Sequence, residues 1–223
     1  SHNPMEYNGI KFFNAQGYKL DDELEDKIEA IVRGALHTLD LPDGANVGTV
    51  DHIGTALDDY ISYILTTVDT RLDGIKAAVD CGNGAASFTA PPTLKKLGVD
   101  CTVINDQPNG LNINAGCGST HIEEVTRLVK ETGADIGFAF DGDADRLMAV
   151  DELGNLIDGD QVLAICGNYL KGKGKLAKDT IVATVMSNLG LFKMGEANGI
   201  AVKKTKVGDR YVLEKMLKDG YVL

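Results

Sequence analysis

The sequence predicts an α/β protein built from successive α/β units. Three observations carry that prediction. Short apolar runs of strand length alternate with stretches of helical periodicity from residue 75 onward, as a sheet layered with helices requires. The rhythm restarts after "NLIDGD", so a second unit follows the first. At 223 residues, 43% hydrophobic and 25% charged, the chain has the length and composition to bury ordinary globular cores.

Taken in order, "DDELEDKIEAIVRGAL" is the first predicted helix. Leu24, Ile28, Ile31, Val32, Ala35 and Leu36 share one face, and Asp22 with Glu25 three positions on gives a capping-box start. "LPDGANVG" breaks the pattern, and a second helix is expected in "ALDDYISYILTTV". The strand "IKAAVD" then opens the first full unit. A glycine turn follows it, then helical "LKKLG", the strand "CTVIN" and the helix "THIEEVTRLVKETG". In that helix Thr120 and Glu123 form a second capping box, and Ile122, Val125, Leu128 and Val129 make the buried stripe. The strands "DIGFAFD" and "LMAVDE" close the unit. The next one reads helix "QVLAICGNYL", strand "TIVATVMS", helix "LGLFKMGEANG" and strand "AVKKTKV". "DCGNGAAS" matches only G-x-G-x-x-S, is followed by Pro91 and Pro92, and has no acidic ribose ligand at the right distance. It reads as a strand-to-helix turn and not as a dinucleotide fingerprint.

The net charge of -11 argues against nucleic acid and against anionic membranes as partners, so an anionic ligand needs local cations to draw it in. Cys81, Cys101, Cys117 and Cys166 are far apart and form no C-x-x-C pair. With no signal peptide and no long apolar span, the expectation is a cytoplasmic protein whose thiols are reduced and serve as small buried hydrophobes.

The most informative stretch is "GADIGFAFDGDADRLMAVDELG". Asp141, Asp143 and Asp145 fall within five residues at the end of an apolar strand, with Arg146 next. Like charges that close raise each other's pKa and repel, so the cluster calls for a cation. Oxygen-only ligands without His or Cys suit Mg2+ or Mn2+. A calcium EF-hand also begins D-x-D-x-D, and Glu152 falls at its twelfth position. Its sixth position holds Arg146 where Gly is needed, and the flanks read as strands, which excludes it. A haloacid-dehalogenase-type enzyme would use Asp141 as nucleophile and Asp143 as its D-x-D partner, but Asp145 stands where Thr or Val is expected. A plain Asp and Gly turn between two strands is the remaining alternative.

"DGDADR", together with "SHNPMEYNGIKFF" upstream, resembles the α-D-phosphohexomutase superfamily, and "LNINAGCGSTH" and "VGDRYV" look like its bacterial glucosamine branch. The resemblance covers essentially the whole chain. It implies α/β domains with mixed sheets flanked by helices, and it implies a mutase that interconverts glucosamine 6-phosphate and glucosamine 1-phosphate. Ser1 would be the phosphoserine and, with Asp141, Asp143 and Asp145, a ligand to one Mg2+. His2 would lie near the phosphate, and Lys11 would accept or orient the hydroxyl proton. Arg146 would bind phosphate or brace the aspartates. Lys206, Gly208, Asp209 and Arg210 would contact substrate. Glucosamine 1,6-bisphosphate would be both intermediate and activator, with the sugar turning over between two transfers. The partner is a phosphorylated hexosamine, and the full-length protein is expected to form a homodimer.

The expected divisions are 1–50 as the end of a first domain, 51–155 as a whole second domain carrying the aspartate loop, and 156–223 as the start of a third. The chain stops short of the family's "GEQSGH" loop and fourth domain, so the expectation is a central fragment that binds Mg2+ weakly and lacks turnover. Alternatives are a phosphomannomutase or phosphoglucomutase of the same superfamily, and a non-catalytic metal-binding module.

Overall fold

The structure, a computed structural model, describes all residues except 8, 36 and 38. At its centre is a five-stranded mixed sheet in the order β2-β1-β3-β4-β5, where β1 is Lys76–Asp80, β2 Asp100–Ile104, β3 Ile136–Phe140, β4 Leu147–Asp151 and β5 Leu156–Ile157. β1 pairs in parallel with both β2 and β3, whereas β4 runs antiparallel to β3 and to β5.

Alternation along β1 decides which helix covers which face. Ala78 joins Val125, Leu128, Val129, Ala139 and Val150 in a core beneath α4 (Ile122–Thr132). Ala77, Val79 and Cys81 point to the other face. There they meet Ala86, Leu94 and Leu97 of α3 (Ala86–Leu97), with Phe138 and Phe140 of β3. The predicted stripe of α4 is thus the buried one. Helix α3 begins well before "LKKLG" and turns on through Pro91 and Pro92. Their missing N–H groups remove two internal bonds, and packing against the core below keeps the helix intact. Helix α2 (Ala56–Thr66) lies on α3 and buries Ile61.

A second, smaller sheet pairs β6 (Thr180–Thr184) with β7 (Ala201–Thr205) in parallel. α6 (Leu189–Asn198) forms the crossover, and α5 (Gly159–Gly172) and α7 (Asp209–Asp219) complete the unit. Leu163 and Leu170 of α5, with Met194 of α6, pack on a core of Leu176, Ile181 and Ile200. Asp158 and Gln161 form a true capping box on α5, a signal the sequence reading passed over.

The start of the chain differs from expectation. Helix α1 is Asp22–Ala30, followed by a π-turn over Ile31–Ala35 in which Gly34 has a φ of 147°. Its cap is Asp21 and not Asp22: Asp21 has the extended backbone a cap needs, and its carboxylate accepts from the Leu24 amide at 2.9 Å. Asp22 is already helical. The expected apolar face is only half covered, with Ile28 and Ile31 partly buried and Leu24 and Val32 exposed, while Leu36 falls outside the described residues. The capping box expected at Thr120 is also absent. Thr120 ends a 3-10 turn that Gly118 opens, one position too early to reach the free amides of α4, and His121 takes the cap position without a side-chain bond.

All four cysteines are free thiols, with Cys81 and Cys117 buried. Burial pushes the Cys81 thiol up to about 12. Among the described residues no helix is long and apolar enough to cross a membrane.

Candidate active site

The adjacent parallel strands β1 and β3 end side by side, with Asp80 in register with Ala139, and both chains turn there. This carboxyl edge of parallel strands is where α/β sheets place ligands. Residues 141–146 connect β3 to β4. The connection closes on itself: the Asp141 amide donates to the Arg146 carbonyl at 3.3 Å, and the Arg146 amide donates to Asp141 Oδ1 at 3.1 Å. Ala144 adopts a left-handed φ of 57°, and its amide reaches the Asp141 carbonyl at 3.0 Å.

This fold aims three carboxylates at one point. Oxygens of Asp141, Asp143 and Asp145 all lie within 4.8 Å of one another, with Asp141 buried and the other two exposed. Asp141 Oδ2 is buried and accepts no hydrogen bond; the Ser1 nitrogen stands 3.3 Å from it. A buried anionic oxygen with spare lone pairs, beside two more carboxylates, is stable only with a cation in reach. The residues therefore fit a hard divalent ion.

Groups from residues 1–11 surround the cluster. The Ser1 nitrogen also touches Asp143 Oδ1. Lys11 Nζ donates to Asp143 Oδ2 at 2.5 Å and to Asp145 Oδ2 at 2.7 Å. The bond from Lys11 is the main reason the Asp145 carboxyl is held below the usual carboxylate range. The Arg146 guanidinium makes a long ion pair with Asp145, 4.0 Å from Nε to Oδ1, and donates through an Nη to His2 Nδ1 at 2.8 Å. Ser1 is held by its main chain, since its carbonyl accepts from the Gly142 amide at 3.0 Å, while its Oγ accepts from the Asn3 amide at 3.2 Å. A cavity of about 800 Å³ opens here, bounded by Ser1, Tyr7, Lys11, Ile113, Gly142 and Asp143.

The structure thus brings together Ser1, His2, Lys11, Asp141, Asp143, Asp145 and Arg146. It does not bring the "TKVGDRYV" residues into contact with them: among the described residues, none of the four hydrogen-bonds or ion-pairs with the aspartates. Lys206 Nζ lies over the Tyr211 ring at 5.7 Å, and Gly208, with a φ of 131°, starts α7. Arg210 pairs with Asp22 and with Glu214. Asp209 accepts from Lys19 at 2.6 Å, yet it lines the same groove as Asp145, a cleft of about 880 Å³.

The Lys19 bond holds the Asp209 carboxyl below its ordinary value. With the folded pKa depressed, the bridge contributes fully above the unfolded pKa and is lost as pH falls through the folded one. An NMR titration of Asp209 is expected to show a midpoint below that of a free aspartate, returning to the ordinary value in Lys19→Ala.

Three residues of the site were not singled out by sequence reasoning. Asp80 is fully buried, and its carboxylate accepts from the Gly82 and Gly118 amides and from Asn105 Nδ2, at 2.9, 2.8 and 3.1 Å. Gly84 lies directly under the aspartate loop, where a Cβ would stand 2.2 Å from the Gly142 carbonyl oxygen. Asn114 touches the serine segment. An Asp at a strand end before C-G-N-G was the one available signal for the first two.

Comparison with known proteins decides the family. The chain matches the phosphoglucomutase/phosphomannomutase alpha/beta/alpha domain I over residues 1–37, domain II over 58–154 and domain III over 158–223. The chain belongs to the phosphoglucomutase/phosphomannomutase family. Phosphoglucosamine mutases from Acetivibrio thermocellus and Clostridium acetobutylicum are each 56% identical to this chain over 223 residues, which is all of it and 50% of each relative. The chain therefore spans about half the length of the curated relatives it matches. Among solved structures, a phosphoglucomutase/phosphomannomutase family protein from Burkholderia thailandensis matches with a TM-score of 0.81 and 26% identity, over 99% of this chain and 46% of that one. Parafusin (phosphoglucomutase) from Paramecium, in its open form, has the same fold, with a TM-score of 0.72 and 20% identity over 99% of this chain and 46% of its own.

Proposed function

We propose that this chain carries the phosphoserine and metal-binding parts of a phosphoglucosamine mutase, acting on glucosamine 6-phosphate and glucosamine 1-phosphate through a 1,6-bisphosphate. The observation that carries the reading is the fixing of Ser1 against the aspartate loop. The Gly142 amide grips its carbonyl, and its nitrogen lies 3.3 Å from Asp141 Oδ2. A serine held there by its backbone, with its Oγ bonded only to the Asn3 amide, would bear its phosphate beside three carboxylates.

Asp141, Asp143 and Asp145, with an oxygen of phosphorylated Ser1, would hold one Mg2+, which when bound withdraws charge from the phosphoryl group. The chain's own residues do the rest. Transfer breaks the bond between phosphorus and Ser1 Oγ and makes one to a sugar hydroxyl oxygen, and the proton lost by that hydroxyl is balanced by the one that Ser1 Oγ gains as it becomes a free hydroxyl. The reverse step, with the other phosphate, restores the phosphoserine. Lys11, whose Nζ reaches Asp143 and Asp145, would orient that hydroxyl. Arg146 and His2 form a paired donor surface over the serine segment, suited to phosphate oxygens. Asp209, which lines the groove it shares with Asp145, would face the sugar from the third-domain side. The glucosamine specificity rests on the relatives that match at 54–56% identity, which are phosphoglucosamine mutases.

Incubation with Mg2+ and a hexose 1,6-bisphosphate, followed by peptide mass spectrometry, is expected to place phosphate on Ser1 and none in Ser1→Ala. Phosphate on Asp141 would overturn the reading in favour of an aspartyl-phosphate enzyme.

A further inference from the structure

We infer that Asn114 is the positioning residue that docks the serine segment onto the metal loop, an inference that rests on the phosphoserine reading above. Its amide nitrogen donates to two carbonyls of that segment, Ser1 O at 2.9 Å and Asn3 O at 2.8 Å. Only the NH2 side of the amide can serve two acceptors, so the orientation is fixed by chemistry. The Ser1 carbonyl thereby receives two bonds, one from Asn114 and one from the Gly142 amide at 3.0 Å, which immobilises the residue that carries the nucleophilic oxygen.

Asn114 is itself anchored. It is buried, with a left-handed φ of 54° that Asn tolerates better than most residues. Its backbone amide donates to the Gly82 carbonyl at 2.9 Å. Gly82 and Gly118 are held by the buried Asp80 carboxylate, and both approach the Phe140 carbonyl so closely that neither has room for a side chain. Serine segment, Asn114 and aspartate loop are therefore referenced to the same two turns. Nothing in the metal chemistry requires Asn114; its two bonds act on the distance between Ser1 Oγ and the carboxylates.

The test uses Asn114→Gly, which keeps the left-handed backbone and removes the side chain with its amide, and Asn114→Asp, which keeps the shape but turns the donor into an acceptor facing two carbonyls. In Asn114→Gly the rate of Ser1 phosphorylation from a hexose 1,6-bisphosphate is expected to fall roughly thirty-fold. Mn2+ affinity should stay near the parent value while the melting temperature falls by a few degrees, and Asn114→Asp should be slower still. Hydrogen exchange in peptides spanning 1–7 and 138–147 should accelerate in both variants. Parental exchange rates in these peptides would overturn the inference, as would parental transfer in Asn114→Gly. If the unmutated chain takes no phosphate on Ser1, the phosphoserine reading fails, and the docking stands or falls on the exchange rates alone.

Discussion

Asp141→Asn is expected to abolish metal binding while leaving the metal-free fold as stable as before, or more stable by about 1 kcal/mol. The reason is the asymmetry of its two oxygens. Oδ1 has the Arg146 amide as a donor, and an asparagine oxygen would keep that bond. Oδ2 is buried without a hydrogen-bond partner, with the Ser1 nitrogen 3.3 Å away and two further carboxylates within 4.8 Å. Replacing it with a neutral NH2 removes like-charge repulsion and a desolvated charge. The same change deletes the one buried ligand of the cluster, so affinity for Mn2+ should drop by on the order of 100-fold or more. Calorimetric titration and a melting curve with and without metal check both halves. A variant that binds Mn2+ like the parent would sink the assignment of Asp141 as a ligand.

Gly84→Ala should be the most destructive methyl group that can be added to the site. A Cβ there would stand 2.2 Å from the Gly142 carbonyl oxygen and 2.7 Å from two further backbone atoms of Gly142. None of these is the end of a flexible side chain, so the aspartate loop itself must move. The Ala85 amide, which donates to the same carbonyl at 2.9 Å, would be displaced with it. The expected cost is about 3 kcal/mol, or a fall of more than about 10 °C in Tm for a domain of this size. Metal affinity should fall in parallel. The neighbouring Gly116 has nothing within 4 Å of its Cβ position and only its left-handed φ of 64° to protect; Gly116→Ala is the control, expected to be milder and to spare the metal site.

The contrast between Asp141 and Gly84 also shows what was legible in the chain. The apolar strand runs and the stripe of α4 were readable because their apolar residues pack into the core, on both faces of the sheet in β1. The aspartate loop was readable because its charges are adjacent in sequence. Asp80 was not, since a single acid at a strand end looks like any turn residue until its three donors, drawn from residues 82, 105 and 118, are seen to converge. Asn114 was hidden for the same reason: its acceptors lie more than a hundred positions away. The misjudged caps of α1 and α4 follow from backbone geometry one residue to either side, which composition does not encode. The overestimated burial of α1 reflects a stripe that only half meets an apolar partner among the described residues.

The antiparallel pairing of β3 with β4 has a kinetic consequence. The aspartate loop is a six-residue clasp between strands bonded in register from Phe140 with Leu147 back to Ile136 with Asp151, so it cannot slide without breaking that ladder. Under the mutase reading, the two transfers must then be served by a stationary centre, and the bisphosphate is the part that reorients. Its residence time, set against the rate of that tumbling, decides whether a turnover finishes or the intermediate escapes into solution. Leakage of bisphosphate would therefore be governed by the groups that hold the sugar, and a rigid clasp makes processivity a property of the ligand's grip.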